Sequence, residues 1–193
     1  VIYSIESYDI TTVRASVGNY LVAKYIAENS DAKVIFNGDG SDEVMGGYLY
    51  FHCSPDPIAF DNECRRLLKD IHMYDVQRSD RTISSNGLEP RTPFLDRDFV
   101  QTYLAISPQE RWCGSNNTPV IEKQLLRDAF SGQGVLPETV LWRSKEAFSD
   151  GVSSLTRPWY EIIDEKITKK FGDKFDDCNA SSETAGLTRE QRY

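Results

Sequence analysis

Residues 34–43 read Val-Ile-Phe-Asn-Gly-Asp-Gly-Ser-Asp-Glu, an apolar run followed by a glycine-rich polar run. The Val34–Phe36 run has the length and β-propensity of a fully buried strand. Gly38 and Gly40 permit a tight turn and a close approach of the backbone to a ligand. A helix from Glu43 to about His52 is expected to follow, with its amino end directed at the turn. This order predicts one unit of an α/β fold, with a ligand at the carboxyl edge of the sheet.

Three carboxylates crowd this turn, those of Asp39, Asp42 and Glu43, and two interpretations of them stay open. In the first, they cap the helix, because its unpaired N–H groups and dipole stabilise nearby acids by about 0.3–1 kcal/mol each. Asp39 and Asp42 also have the three-residue spacing of a capping-box pair. In the second, they belong to a Mg²⁺–phosphate site, since a hard cation binds one or two carboxylates together with substrate phosphates.

The composition is that of a globular protein, with one domain or part of one. The chain has 193 residues, of which 39% are hydrophobic and 11% aromatic, enough to bury a core. Its net charge of −8 argues against nonspecific binding to nucleic acid. No apolar run is long enough to span a membrane, and no signal peptide is visible. Four widely spaced cysteines without a metal-ligand pattern indicate reduced thiols, so a cytoplasmic location is expected.

Helical patterns fill most of the remaining chain. Helices are expected at about 11–28, 58–71, 74–85, 97–105, 120–130 and 158–171. Residues 87–96 contain two prolines and a glycine, which predict a structured loop and not a helix. Asp96 at the end of this loop is placed to cap the next helix. The polar run of small residues at 172–188 predicts a mobile loop.

Two cations allow a structural and a functional interpretation. Arg78 follows Asp75 by three residues, as in surface ion pairs worth roughly a few tenths of a kcal/mol. The alternative is that the helix directs Arg78 at a phosphate. Lys145 and Glu146 lie together in a loop between two turns. Lys145 is either a solvated loop lysine or a fixed point charge for a transferring phosphate.

Four motifs, taken in order, resemble the glutamine-dependent asparagine synthetases. They are Ser-Tyr-Asp-Ile-Thr-Thr-Val-Arg-Ala-Ser at 7–16, Phe-Asn-Gly-Asp-Gly-Ser-Asp-Glu-Val-Met-Gly-Gly-Tyr at 36–48, Gly-Leu-Glu-Pro-Arg-Thr-Pro-Phe-Leu-Asp at 87–96 and Arg-Ser-Lys-Glu-Ala-Phe-Ser-Asp-Gly at 143–151. Each motif alone is moderately specific. Four of them in this order, with matching gaps, outweigh the purely structural interpretations given above, and the resemblance continues to Tyr193.

The resemblance implies part of a carboxy-terminal synthetase domain of the ATP-pyrophosphatase (PP-loop) type, a helix-rich α/β domain with a parallel sheet. In that family, ATP with Mg²⁺ adenylates the side-chain carboxylate of aspartate and pyrophosphate leaves. Ammonia then attacks β-aspartyl-AMP, which gives asparagine and AMP. The ammonia comes from glutamine, hydrolysed in a separate amino-terminal glutaminase domain. Because the family tends to dimerise, a homodimer is among the partners that the resemblance implies.

The resemblance also implies roles for single positions. The implied catalytic residues are Asp39, Asp75, Arg78 and Lys145, the nucleotide-binding residues Asn37, Gly38, Gly40 and Ser41, the substrate-binding residues Thr11, Arg14 and Glu146, and the metal ligand Asp42. Lys145 would neutralise phosphate charge as pyrophosphate leaves. Asp39 would orient or deprotonate the attacking ammonia.

The chain also departs from the family pattern. Asp39 is one methylene shorter than the Glu of the family, and Asn37 replaces a Ser. The PP-loop sequence Ser-Gly-Gly-x-Asp-Ser and the glutaminase domain do not occur in the 193 residues. We therefore expect the chain to be part of a longer protein and to be inactive alone. Two alternatives stay open: an adenylating amidotransferase that acts on another carboxylate, like a β-lactam synthetase, and a non-catalytic, degenerate paralogue.

Overall fold

In the computed structural model of the chain, residues 1–112, 121–151 and 157–172 are described, without the side chains of residues 149 and 150. The helices are α1 (Ile2–Ile5), α2 (Ile10–Asn29), α3 (Ser41–Met45), α4 (Pro57–Asp70), α5 (Asp75–Ser84), α6 (Arg97–Ala105), α7 (Pro108–Arg111), α8 (Gln124–Phe130), α9 (Glu138–Leu141), α10 (Phe148–Gly151) and α11 (Trp159–Phe171). The strands are β1 (Val34–Phe36) and β2 (Glu89–Arg91). Short 3-10 turns lie at Leu49–Cys53, Ile71–Met73 and Pro93–Leu95.

The expected helices at 11–28, 58–71, 74–85, 97–105 and 158–171 are confirmed to within one residue at each end. Capping explains several of these boundaries. The Asp96 carboxylate accepts hydrogen bonds from the backbone N–H groups of Asp98 and Phe99, as predicted. The mobile loop expected at 172–188 lies, after Gly172, outside the described residues. Among the described helices, none is both long and apolar enough to cross a membrane.

The sheet joins β1 and β2 as parallel neighbours, with Ile35 opposite Pro90. The prediction that 87–96 is a loop was therefore wrong over Glu89–Arg91. The prediction failed at Pro90, because a proline has no N–H for the ladder and occurs in sheets mainly in edge strands. Backbone hydrogen bonds continue the pairing at both ends of the strands. The Glu89 N–H donates to the Lys33 carbonyl oxygen at 2.7 Å, and the Asn37 N–H donates to the Arg91 carbonyl oxygen at 2.9 Å.

The strand β1 is not fully buried, which corrects a second expectation. Val34 is 45% exposed and Phe36 is 77% exposed, whereas Ile35 packs on the core. That core contains Ala23 of α2 and Ile83 of α5, so the two helices cover one face of the sheet. Because successive side chains of a strand point to opposite faces, covering one face leaves every second residue exposed.

A second part of the core surrounds α3. Val44 and Met45 of α3 pack with Tyr103 of α6. The helix ends here, because Gly46 has a left-handed backbone with φ of 63°. A Cβ atom at position 46 would lie 2.3 Å from the Phe60 ring. The single helix predicted from Glu43 to about His52 is therefore wrong: the segment contains α3, a glycine break and a 3-10 turn.

The helix α8 begins later than expected. The prediction was a helix at 120–130, but the described part is helical only from Gln124. Lys123 has a φ of 59°, the left-handed conformation that non-glycine residues seldom adopt and that cannot continue a helix. The Lys123 backbone therefore departs from the helical conformation, and its side chain lines the cleft of the candidate active site.

Candidate active site

A cleft of about 1070 Å³ opens between α2, the turn after β1, α5 and the loop that precedes α10. Most of the residues predicted for the site line it. Those lining the cleft are Thr11, Arg14, Gly38, Asp39, Asp42, Asp75, Arg78, Lys145 and Glu146. The three others, Asn37, Gly40 and Ser41, belong to the same turn but are not among the lining residues.

Two glycines shape the turn in different ways. Gly40 has a φ of 87°, and a Cβ atom there would lie 2.3 Å from a methyl carbon of Leu95. It therefore permits both the backbone conformation and the contact with the 3-10 turn of Pro93–Leu95. Around Gly38 the space is open, with no atom within 4 Å of a hypothetical Cβ atom. Gly38 therefore leaves room for a ligand to approach the backbone of the turn.

Asn37 connects the turn to α5 and does not face the cleft. Its amide nitrogen donates a hydrogen bond of 2.6 Å to the Ser79 hydroxyl oxygen. Its side-chain oxygen accepts from the backbone N–H of Asp39 at 3.1 Å. These contacts hold the turn in place beneath the acidic side chains.

Asp42 brings two distant lysines together. Its Oδ1 lies 2.6 Å from Lys123 Nζ, and its Oδ2 lies 3.3 Å from Lys145 Nζ. Lys123 also donates a hydrogen bond of 3.0 Å to the Ser41 hydroxyl oxygen. Gly47 makes room for the pair, because a Cβ atom there would lie 2.0 Å from Asp42 Oδ1 and 2.5 Å from Lys123 Cε.

The acidic turn does not cap α3 through a side-chain hydrogen bond, although Asp42 and Glu43 lie in the first turn of that helix, as the dipole part of the capping interpretation requires. The residue that caps α3 is Gly40, which has no side chain to accept a hydrogen bond. Asp42 instead forms ion pairs, and its side chain is only 21% exposed. The acidic turn therefore binds cations of the cleft wall, and the capping-box pairing of Asp39 with Asp42 is absent from the described helix.

Lys123 was not predicted as a site residue. In the sequence it lies inside an amphipathic pattern at 120–130, where lysines are ordinarily solvated. Its side chain is only 18% exposed, because it is directed at Asp42. No local signal reveals this, since both the left-handed backbone and the partner depend on tertiary packing.

Two further acids of the same turn line the cleft, the buried Glu43 and the half-buried Asp39. Glu43 is only 3% exposed and accepts a hydrogen bond from the Tyr48 hydroxyl. Burial raises the pKa of Glu43 to about 7; the nearby charge of Asp75 adds to this effect, and the hydrogen bond from Tyr48 opposes it. Burial also raises the pKa of Asp39, helped by Asp75 and Asp42 and opposed by a hydrogen bond with Ser79 and the charge of Arg78.

Asp75 and Arg78 form an ion pair along α5, with side chains 23% and 18% exposed. Arg78 is thus ion-paired, although with a mostly buried side chain, and it lines the cleft; its direction at a phosphate stays a prediction. On α2, the Arg14 guanidinium carbon lies 6.0 Å above the ring centre of Tyr160 in α11. Seven positively charged residues line the cleft together with several acids: Arg14, Arg66, Arg78, Lys123, Arg127, Arg143 and Lys145.

The resemblance implies Mg²⁺, so the side chains of the cleft are compared with the ligands that this metal ordinarily binds. Within the described ranges, no group of three or more His, Cys, Asp or Glu side chains is arranged to hold a metal ion. Asp42 and Asp39 offer carboxylates at the cleft, but lysine ammonium groups face both oxygens of Asp42. Mg²⁺ commonly binds one or two carboxylates and completes its shell with water and substrate phosphates. The residues fit Mg²⁺ that arrives with a nucleotide, not a metal held by side chains alone.

Comparison with known proteins identifies the class of protein. The family model described as asparagine synthase matches residues 1–58 and 53–191. The chain therefore belongs to the asparagine synthase family, and the resemblance seen in the four motifs is confirmed at this level. The helix-rich α/β architecture with a small parallel sheet agrees with the fold class predicted from the sequence.

Individual relatives make the match more specific. The chain is 48% identical over 174 residues to a protein named asparagine synthetase [glutamine-hydrolyzing] from Cricetulus griseus. It is 48% identical over 173 residues to the protein of that name from Homo sapiens, and 49% identical over 173 residues to that from Gallus gallus. Each match covers 90% of this chain but 30% of the relative, so the chain spans under a third of the length of these proteins.

Proposed function

We propose that the protein containing this chain is an ATP-dependent ligase that converts aspartate to asparagine through β-aspartyl-AMP. One observation carries the proposal: Lys145, from the last of the four motifs, meets the acidic turn of the second motif at Asp42, with 3.3 Å between Nζ and Oδ2. Phosphoryl chemistry needs fixed positive charge beside the oxygens that gain negative charge. The names of the relatives agree with this activity.

In the first step, a carboxylate oxygen of aspartate attacks the α-phosphorus of ATP, and pyrophosphate leaves. Lys145 and Arg78 stabilise the charge that builds up on the phosphates, since both line the cleft and both are mostly buried. Lys123, held by the same carboxylate as Lys145, adds a further positive charge. Gly38, with open space around it, lets the turn approach the nucleotide; Asn37, Gly40 and Ser41 keep that turn in shape.

In the second step, ammonia attacks the carbonyl carbon of β-aspartyl-AMP, and AMP leaves. The attacking nitrogen must lose a proton, and a carboxylate beside it can accept one. Asp39 takes this role in the proposal, because it lines the cleft next to Asp75 and Arg78. Thr11 and Arg14 on α2, together with Glu146, bind the aspartate from the other side of the cleft.

Bound Mg²⁺ would neutralise phosphate charge, and Asp42 is the residue that would hold it. Both Asp42 oxygens face lysines. Asp42 would hold the metal through its carboxylate, and Lys123 and Lys145 would supply further positive charge for the phosphates.

The remaining features of the proposal concern the whole protein. Its synthetase domain has the PP-loop type of α/β fold, and its ammonia comes from glutamine through an amidotransferase domain. The protein acts in the cytoplasm as an enzyme of amino-acid biosynthesis, with a homodimer as its assembly. The names of the relatives, which include the words glutamine-hydrolyzing, support glutamine as the ammonia source; the other features rest on the resemblance in the four motifs. No contact among the described residues favours a larger carboxylate substrate or a non-catalytic role.

The test uses the full-length protein with ATP, Mg²⁺, aspartate and either glutamine or ammonium chloride. Pyrophosphate, AMP and asparagine are measured together, and equal amounts of the three are expected. Larger carboxylates in place of aspartate are expected to release little pyrophosphate. Release that is faster with a larger carboxylate, or no release with any of them, would overturn the proposal.

A further inference from the structure

The ammonium group of Lys145 has a second neighbour besides Asp42. Its Nζ lies 5.9 Å from the centre of the Tyr48 ring. The Lys145 side chain is only 20% exposed, so water screens this contact weakly. A cation within about 6 Å of an aromatic ring centre is attracted by the negative face of the ring, and more strongly where water is excluded.

Tyr48 is itself firmly held. Its hydroxyl donates a hydrogen bond to Glu43, which is only 3% exposed. Burial raises the pKa of Tyr48 far above its usual range, so the hydroxyl keeps the proton that it donates. The ring stacks on Tyr50 at 6.0 Å and on Phe51 at 6.5 Å, with an interplanar angle of 9° in both pairs. Phe51 belongs to the core, so Tyr48 is anchored from two sides.

Lys145 needs such support, because its backbone lies in the loop between α9 and α10. Lys145 also donates a long hydrogen bond of 3.4 Å to the carbonyl oxygen of Glu146. A lysine side chain loses considerable rotamer entropy when it is fixed, which favours a mobile ammonium group. Asp42 holds it through one oxygen only, Oδ2 at 3.3 Å, because the other oxygen, Oδ1, pairs with Lys123.

We propose that Tyr48 is a positioning residue for Lys145, in which the ring face holds the ammonium group toward the phosphate site and Glu43 fixes the ring. The functional part of this proposal depends on the adenylation activity proposed above. The geometric part does not, because it concerns only the side chains of this chain. Tyr48 thereby gives the ammonium group of Lys145 a second anchor besides Asp42.

The direct test measures the reactivity of Lys145 in the full-length protein. An amine-reactive reagent is applied for short times, and mass spectrometry follows modification of Lys145, with the exposed Lys24 as internal reference. Tyr48→Leu is expected to increase the modification rate of Lys145 about three- to tenfold, because the ring no longer restrains the amine. An unchanged rate would overturn the proposal, whether or not the protein makes asparagine.

The kinetic test uses a double-mutant cycle on pyrophosphate release. Tyr48→Leu is expected to lower kcat about three- to tenfold in the wild-type background and less than twofold in the Lys145→Ala background. Tyr50→Leu is the matched control, since it removes a ring of the same stack, and its effect should be equal in both backgrounds. Equal effects of Tyr48→Leu in both backgrounds would contradict a role through Lys145. Absence of pyrophosphate release from the wild type would instead contradict the proposed function.

A third set of variants covers the case that Tyr48→Leu does not fold. Phenylalanine, monofluoro-, difluoro- and trifluorophenylalanine at position 48 keep the shape of the ring while fluorine progressively weakens its negative face. Lys145 modification is expected to rise stepwise along this series, and pyrophosphate release to fall. No trend along the series would show that the ring only fills space.

Discussion

The residue with the greatest influence on the site is Asp42. A single carboxylate binds two lysines that are distant in the sequence, Lys123 and Lys145. Each exposed ion pair would contribute little, but these side chains are about one-fifth exposed, and partly buried charges interact more strongly. The carboxylate therefore concentrates positive charge where the proposed reaction generates negative charge.

Lys145→Ala in the full-length enzyme is expected to lower the rates of pyrophosphate release and asparagine formation about a thousandfold, because a preorganised charge at the transition state is lost. The fold should remain intact, as judged by circular dichroism. Lys24→Ala, at a lysine that is 52% exposed and pairs with Glu28, serves as the control and should leave both rates unchanged. A Lys145→Ala enzyme with near-normal turnover would remove Lys145 from the mechanism.

Gly47→Ala tests whether the pair of Asp42 and Lys123 matters. The new methyl group would lie 2.0 Å from Asp42 Oδ1 and 2.5 Å from Lys123 Cε, so one of the two must move. We expect pyrophosphate release to fall at least about tenfold, as is usual when a catalytic group is displaced by about 1 Å. Gly132→Ala is the control, because nothing lies within 4 Å of its Cβ position, although its φ of 72° adds some strain. If both variants keep full activity, the position of the pair is unimportant.

Among the elements, both short segments and longer helices contribute residues to the candidate site. β1, the turn and α3 together present the acidic residues, while α2 and α5 supply Thr11, Arg14, Asp75 and Arg78. The helix α4 is tied to α7 by an ion pair between Asp61 and Arg111, whose side chain is fully buried. Arg111 also donates to the carbonyl oxygen of Ile106 at 2.9 Å.

Asp61→Asn is expected to destabilise the domain at pH 7 by about 2 kcal/mol, or about 4–8 °C in melting temperature, because a buried guanidinium group loses its counterion. Burial alone would raise the pKa of Asp61, but hydrogen bonds from Arg65 and Arg111 and their charges outweigh it and lower the pKa. A lowered folded pKa contributes stability above the unfolded value of 3.8, and this contribution disappears as the pH falls through the folded value.

The difference in melting temperature between wild type and Asp61→Asn should therefore be largest near neutral pH and shrink below about pH 3.8. Thermal melts of the full-length protein from pH 7 downward measure it. The double variant Asp61→Asn/Arg111→Met should be less destabilised than the single variant, since no charge is left buried without a partner. A difference that does not depend on pH would contradict the proposed ion-pair contribution.

At the scale of the whole molecule, the small sheet has exposed residues and the chain spans only part of the length of its relatives. Val34 and Phe36 are 45% and 77% exposed on a sheet that has two strands among the described residues. The chain spans 30% of the length of its relatives, and most of the predicted site residues line its cleft.

The 193-residue chain alone is therefore expected not to make asparagine or to release AMP from ATP, aspartate and ammonia. The reason is that the PP-loop sequence Ser-Gly-Gly-x-Asp-Ser, which the resemblance implies for the ATP site, does not occur in these residues. Circular dichroism establishes that the chain is folded, and the full-length protein in the same assay is the positive control. AMP formation by the folded chain, dependent on aspartate, would contradict this expectation.

Local sequence patterns predict much of the secondary structure and the family of the chain. Five helices, the Asp96 cap and the strand at Val34–Phe36 depend on hydrophobic periodicity, on capping side chains and on β-propensity over a few residues, so the sequence alone predicts them. The four motifs likewise identify the family, because each is contiguous in the chain.

Tertiary structure decided what depends on distant partners. Pro90 forms a strand only because β1 lies beside it, and the helix after Glu43 stops at Gly46 because the Phe60 ring occupies the space next to it. Lys123 lies in the candidate site because its backbone is left-handed and because it pairs with Asp42, which is distant in the sequence. The Tyr48–Lys145 contact has the same origin: short-range preferences determine helices and strands, whereas packing determines which side chains meet.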